Sequence, residues 1–245
     1  MSITEPVTGK PTIVLVHGAF AESSSFSGVI SALLAEGFPA IAVANPLRGV
    51  SSDSEYLRAL LKDIEGDIVL VGHSYGGTVI SGGGTDNPNV KALVFVGAFA
   101  PDEGETPGEL AGRMPGSSLG ETLTSVAQPG GGNDLYIMQG KYHAQFAADS
   151  PSEVADVMAV TQRPILESAF GEASGKPAWK TVPSWFLFGS KDLNIPVAMH
   201  RFMAERAGSR KTVELQDGSH TVAIPESAKL VDLIREAAAA TTGAH

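Results

Sequence analysis

Residues 67–77, DIVLVGHSYGG, constrain this chain more than any other stretch. An apolar run over 68–71 breaks into Gly72-His73-Ser74-Tyr75-Gly76-Gly77, and helix-compatible residues follow over 78–81. That order reads as strand, sharp turn, helix. Gly72 and Gly76 stand two residues to either side of Ser74, where side chains would collide if a strand is to turn straight into a helix around a strained residue. The strain presents the Ser74 hydroxyl at the C-terminal edge of a sheet, beside the N–H groups that open the helix. Gly-x-Ser-x-Gly alone is weak evidence. With 28 glycines in 245 residues, the pattern is expected by chance about 0.3 times. It occurs again around Ser118, at 116–120, but there it follows Arg113-Met114-Pro115 with no strand before it, so context selects Ser74.

Composition narrows the setting. A chain of 245 residues can bury a full core and accommodate one α/β domain with an insertion. Seventeen basic against 27 acidic residues give a net charge of −10, which argues against nucleic acid or an anionic membrane as partner. The absence of cysteine excludes disulfides, thiol catalysis and thiolate metal sites. Residues 1–10 are polar, and no apolar run reaches the roughly 18 residues of a membrane span. The expectation is a cytoplasmic protein.

Strands and helices alternate from residue 12 to 97. Residues 12–16, 39–44, 68–71 and 90–96 read as buried strands of a parallel sheet. Residues 26–35 form a helix capped from Ser23–Ser25 and closed by Gly37, and 52–55 read as a capping box for a helix running through Leu57, Leu60, Leu61 and Ile64. From about Pro101 the alternation stops in a glycine-punctuated insertion, residues 102–180. Its later part shows helical spacing in Tyr136, Ile137 and Met138, then Val154, Val157 and Met158, then Ile165, Leu166 and Phe170. The pattern resumes with strands over 182–188 and 212–215 and helices over 196–207 and 225–240, while 241–245 are expected to fray. The whole chain thus reads as one domain, with a core of 10–101 and 181–245 and the insertion as a cap.

A serine hydroxyl needs a base within hydrogen-bond reach, and the base needs an orienting group. Of six histidines, His17 and His73 lie in turns, His143 in the insertion, His200 on a helix and His245 in the tail. His220 stands in a loop directly after the last strand. All strands of a parallel sheet end on one side, so His220 shares an edge with Ser74 and is the expected base. The orienting acid should come from the loop after another strand, and Asp192, in Gly189-Ser190-Lys191-Asp192, fits. Asp102 is the second choice. Asp217 is too near His220 in sequence to reach round its ring. An oxyanion needs two N–H donors: the N–H of Tyr75, after the nucleophile, and one from His17-Gly18-Ala19-Phe20, that of Ala19 or, second, of Phe20.

With His17-Gly18, the 72–77 turn, the 189–192 loop and Gly218-Ser219-His220 in place, the chain resembles the α/β-hydrolase fold along nearly its whole length. Residues 14–20, Asn45-Pro46-Leu47 and Ala98-Phe99-Ala100-Pro101-Asp102 resemble the branch of plant methyl esterases, hydroxynitrile lyases and small bacterial esterases. The resemblance implies a six-stranded, mostly parallel sheet with helices on both faces and a helical cap over the pocket. It also implies a Ser74, Asp192, His220 triad with Ala19 and Tyr75 as oxyanion donors. The lyases of that branch carry a lysine just after the catalytic histidine's segment. Here Thr221-Val222-Ala223 offers none and Lys229 lies on a helix, which disfavours cyanohydrin cleavage.

The expected activity is hydrolysis of small, fairly apolar carboxylic esters, aryl esters or lactones through an acyl-enzyme. A cofactor-free haloperoxidase or perhydrolase using the same triad, and a non-catalytic ligand receptor, are the alternatives. No cofactor or metal is expected, since there is no P-loop, no Gly-x-Gly-x-x-Gly and no histidine pair at metal-ligand spacing. The partner is a small-molecule ester, with a homodimer left open. The cap should supply apolar pocket residues, Tyr136, Met138, Phe146, Met158 and Trp179, alongside Phe20 of the core, and no catalytic group. His143, between Tyr142 and Ala144, reads as a surface residue of a polar turn.

Overall fold

Burial on both faces shapes the strands of this chain. The structure, a computed structural model, describes residues 3–241, and in it β1 (Thr12–Val16) is buried at every position. A 3₁₀ turn at Ser23–Phe26 leads into α1 (Ser27–Ala35). There follow β2 (Ala40–Val43), α2 (Val50–Leu61), β3 (Ile68–His73), α3 (Tyr75–Gly83) and β4 (Val90–Val96). The chain then leaves the sheet for α4 (Pro107–Arg113), β5 (Leu123–Ala127), β6 (Asn133–Ile137), α5 (Gln139–Phe146), α6 (Ser152–Thr161) and β7 (Ile165–Leu166). It returns through β8 (Ser184–Gly189), α7 (Val197–Arg206), β9 (Lys211–Leu215) and α8 (Ser227–Thr241).

Six strands form one sheet in the order β2-β1-β3-β4-β8-β9, and every neighbouring pair is parallel. Successive strand residues point to opposite faces, and the two faces bury separate apolar clusters. Val14, Val16, Leu70, Phe95 and Phe188 meet α2, α3 and α7 on one side. Ile13, Leu15, Val71, Val94 and Leu187 meet α1 and α8 on the other. The chain steps from β1 outward to β2, then back across β1 to β3. The carboxyl ends of β1 and β3 therefore flank the point where strand order reverses and the following helices take opposite faces, which is where open parallel sheets form their sites.

Several local expectations are corrected. Strand β2 is an edge strand, half-buried over most of its length. Helix α2 begins at Val50, ahead of the expected capping box, because Glu172 of the insertion accepts the N–H of Val50 (2.7 Å) and of Ser51 (3.0 Å) and caps it from outside. Residues 23–25 belong to the 3₁₀ turn rather than capping α1. In the insertion, Tyr136 and Ile137 lie on β6, and Ile165–Leu166 is β7, so a three-stranded antiparallel sheet β5-β6-β7 stands where short helices were expected. The cap is thus mixed rather than helical. Of the residues expected to fray, 242–245 lie outside the described residues, and Thr241 ends α8 with its hydroxyl on Ala238 O (2.7 Å). Among the described residues no helix is long and apolar enough to cross a membrane.

Candidate active site

Ser74 sits between the end of β3 and the start of α3 with φ 54° and ψ −124°, a conformation that costs a non-glycine residue on the order of 1–3 kcal/mol. The neighbours hold it there. Its N–H donates to Val96 O (3.2 Å), while its carbonyl accepts from Gly77 N (3.0 Å) and Phe99 N (3.2 Å). A Cβ on Gly76 would stand 2.2 Å from Val16 O, so only glycine lets α3 start this close to β1. The Ser74 side chain does not cap α3.

The turn after β1 closes over the same point. A Cβ on Gly18 would lie 2.6 Å from the Ser74 Cβ and 3.0 Å from Tyr75 N. Phe20, in the left-handed region at φ 62°, donates its N–H to Arg163 O (2.9 Å). That N–H is thereby committed, and Ala19 is the remaining expected donor in the turn. The Tyr75 ring is fully buried, its hydroxyl donating to Asp53 Oδ2 (2.9 Å). Burial, then the Asp53 carboxylate, pushes that phenol's pKa up, so it stays a donor.

His220 and Asp192 meet with no side-chain exposure, Nδ1 lying 2.7 Å from Asp192 Oδ2. The other carboxylate oxygen, Oδ1, accepts the N–H of Asn194 (2.8 Å) and Ile195 (3.0 Å). Burial alone would raise this carboxyl's pKa. The charge of His220 and the hydrogen bonds from His200 and His220 outweigh it and hold Asp192 well below the usual carboxylate range. An ionised carboxylate only accepts, so His220 Nδ1 is the donor, and in the neutral ring Nε2 carries the lone pair. That Nε2 is buried with no hydrogen-bond partner.

Histidine 73 and Phe146 flank the His220 ring, each with its centroid 4.9 Å away, and His73 Nε2 donates to His220 O (3.1 Å). Ser74 thus follows directly on a residue whose ring lies against that of His220, tilted by 50°. Burial first, and the neighbouring His220 second, lower His73 to a pKa of about 3. Burial likewise lowers His17 to about 4. Asn45 N donates to His17 Nε2 (3.1 Å), which leaves Nδ1 to donate to Gly18 O (2.9 Å).

The alternative acids are engaged elsewhere. Asp102 pairs with Lys180, and Asp217 with Lys191 (2.6 Å). His143 lies on α5 rather than in a turn, half-buried, with Nε2 on Ser150 O (3.0 Å). Ser118 donates to Gln145 Oε1 (2.8 Å). Lys229 pairs with Glu226 (3.0 Å) on exposed α8 surface. Among the described residues no three histidine or carboxylate side chains come together as a metal site.

A cavity of about 450 Å³ lies between residues 20–28 and helix α6; it reaches the turn after β1 at Phe20, and Ser74, Asp192 and His220 are not among its lining residues. Its walls include Phe20, Tyr142, Val154, Met158, Ala223 and Ile224, and its charged lining is Glu22 and Glu153. Phe20 and Met158 line it. Phe146 lies one layer deeper, edge-on to Phe20 (6.2 Å) and against His220. Met138 and Trp179 do not reach the cavity. Met138 is exposed at the start of α5. Trp179 is buried under Arg206 with its indole N–H on Pro101 O (2.9 Å).

Three residues beside the cluster had not been read from the sequence. His200 Nε2 lies 2.9 Å from Asp192 Oδ2. Gln145 donates to Leu193 O (3.0 Å) and Asn194 Oδ1 (2.7 Å) beside the acid. Asp149 accepts Ser219 N (2.8 Å) and the Ser219 hydroxyl beside the base. Only His200 had a local signal. It stands one turn into the helix that the Asp192 loop opens, and helical side chains lean back toward the N-terminus.

Comparison with known proteins agrees with this fold. The chain is 27% identical over 252 residues to the alpha/beta hydrolase nvfD of Aspergillus novofumigatus, spanning 94% of this chain and 97% of that one. It is 26% identical over 247 residues to the alpha-hydroxynitrile lyase of Arabidopsis thaliana, spanning 91% and 95%. The crystal structure of polyneuridine aldehyde esterase superposes with a TM-score of 0.79 at 18% identity, covering 93% of this chain and 98% of that one. Residues 13–233 match the alpha/beta hydrolase family, and the chain belongs to it.

Proposed function

We propose that the protein is a serine hydrolase cleaving neutral, fairly apolar carboxylic esters through an acyl-enzyme on Ser74. The observation that carries this reading is the fully buried 2.7 Å contact of His220 Nδ1 with Asp192, at the sheet edge where Ser74 is held at φ 54°. In this reading Asp192 holds the imidazole tautomer whose Nε2 takes the Ser74 proton during attack and returns it to the leaving alcohol. The N–H groups of Ala19 and Tyr75 receive the oxyanion, and water repeats the sequence to release the acid. The cavity takes the larger group of the ester. Its mostly apolar wall and its two carboxylates, Glu22 and Glu153, favour neutral substrates over those carrying a free carboxylate. The name of the esterase neighbour supports the reaction class. Cyanohydrin cleavage, the activity in the lyase relative's name, finds no support at Lys229, which is paired with Glu226.

The test is labelling with a fluorophosphonate and mass mapping of the modified peptide, alongside hydrolysis of p-nitrophenyl acetate. Label on Ser74, lost together with ester hydrolysis in Ser74→Ala and kept in Ser118→Ala, is the expected result. Label on Ser118, or equal losses in the two variants, refutes the assignment.

A further inference from the structure

We propose that His200 is a positioning residue for the acid of the triad: it donates to the same carboxylate oxygen as His220 and thereby fixes the plane and charge of Asp192. This rests on the reading of Asp192 as the orienting acid. His200 has no side-chain exposure, and its Nε2 lies 2.9 Å from Asp192 Oδ2, the oxygen that also takes His220 Nδ1 at 2.7 Å. Because the carboxylate is ionised, both imidazoles are donors there. The far nitrogen, His200 Nδ1, is buried without a partner. A proton on it would be an unmatched buried donor, so the geometry assigns His200 the neutral Nε2–H tautomer. Its ring lies flat on Phe188, centroids 4.8 Å apart and planes 9° from parallel, which fixes the direction of that N–H.

Each oxygen of Asp192 therefore has two donors: Oδ1 two backbone N–H groups of its own loop, Oδ2 two imidazoles from α7 and from the loop after β9. Rotation of the carboxylate breaks all four at once. Without His200, Oδ2 is held by His220 alone, and the partner that should orient the base becomes the group that the base orients. The charge on Asp192 is also less shared, so a proton on His220 is held more tightly. The other ionisable groups near His200 are Glu214 on β9 and Arg201, which clamps Glu214 at 2.6 Å.

The experiment uses the full chain and three variants, each checked for fold by circular dichroism and melting temperature. His200→Phe keeps a ring on Phe188 and removes the donor, His200→Gln returns an N–H at similar reach, and Asp192→Asn tests the underlying reading. Hydrolysis of p-nitrophenyl acetate is followed as kcat and KM against pH. The expected result is a kcat about 10- to 100-fold lower in His200→Phe with KM little changed, and an acid limb of kcat/KM displaced upward. His200→Gln should restore kcat to within a few-fold and return the limb. A folded His200→Phe with wild-type kcat and wild-type pH profile, while Asp192→Asn is inactive, overturns the proposal and leaves the triad standing. Full activity in Asp192→Asn overturns the triad reading itself. His200→Gln as impaired as His200→Phe shows that ring packing, not the donated hydrogen bond, matters, and overturns the proposal. If His200→Phe does not fold, proton spectra of ¹⁵N-histidine-labelled wild type decide. Two far-downfield ring N–H signals, both lost in Asp192→Asn, are required, and a single such signal overturns the proposal.

Discussion

Lowering the pH from 7 to 5 should destabilise this protein by an amount that two buried histidines set. An unfolded histidine titrates near 6.5, whereas His17 and His73 stay neutral in the fold until about pH 4 and about pH 3. The sign follows from linkage: below pH 6.5 the unfolded chain takes up two protons that the folded chain refuses, so stability present at neutral pH is lost as pH falls. At pH 5 the gap is about 1.5 pH units for each ring, or just under about 2 kcal/mol each relative to pH 7. Together that is about 4 kcal/mol, a fall in melting temperature of roughly 8–16 °C for a domain of this size. Neither ring can escape by charging in place. Asn45 N–H already occupies His17 Nε2, and His73 is enclosed by Phe26, Phe146 and His220. Urea or thermal unfolding at pH 7, 6 and 5 at constant ionic strength measures it. A melting temperature unchanged between pH 7 and 5 would refute the claim that these rings are held neutral.

Other outcomes follow from the same contacts. Asp149→Ala removes the two bonds that Asp149 makes to Ser219 beside His220 and should lower kcat/KM by about tenfold on every ester, the smallest included; an effect confined to bulky esters would contradict it. Met158→Ala alters the cavity wall and should change the ratio of kcat/KM for bulky over short p-nitrophenyl esters by about tenfold or more. Met138→Ala and Trp179→Ala should leave that ratio unchanged, and a shift from either would place the pocket elsewhere. Incubation with EDTA should leave hydrolysis intact, because the proposed steps use only side chains and backbone N–H groups; loss of rate that added zinc restores would count against them.

The core was legible where a signal is local. Residues 12–16, 68–71 and 90–96 announce themselves as strands because burial on both faces keeps them almost wholly apolar, Thr12 and the exposed Lys91 excepted. Ser74, Asp192 and His220 follow strands directly, so the common carboxyl edge of a parallel sheet collects them without any knowledge of contacts. What could not be read depends on partners far away in sequence. The start of α2 is set by Glu172, 122 residues from Val50. Tyr136, Ile137 and Met138 carry apolar spacing compatible with a helix, and only pairing of β6 with β5 and β7 places Tyr136 and Ile137 on a strand. The Thr106–Glu109 capping box of α4 was local and could have been found: Thr106 Oγ1 accepts Glu109 N (3.1 Å) and Glu109 accepts Thr106 N (3.1 Å). The spacing of His200 from Asp192 was a local signal, but a carboxylate shared by two imidazoles is invisible until α7 and the loop after β9 converge.

The two cap helices beside the cavity are attached to different things. Helix α5 is bolted to the chemistry: Gln145 holds the acid's loop, Phe146 lies on the base, and Asp149, just past its end, holds the base's loop. Helix α6 makes its polar ties within the cap, ending where Gln162 clasps the backbone of Ile137 (2.9 Å each way), and turns Val157 and Val160 to solvent. In the proposed reading the two helices would therefore bear on different things: a change confined to α6 reshapes the cavity wall and leaves the ties to the Asp192 and His220 loops intact, whereas a change in α5 loosens those ties.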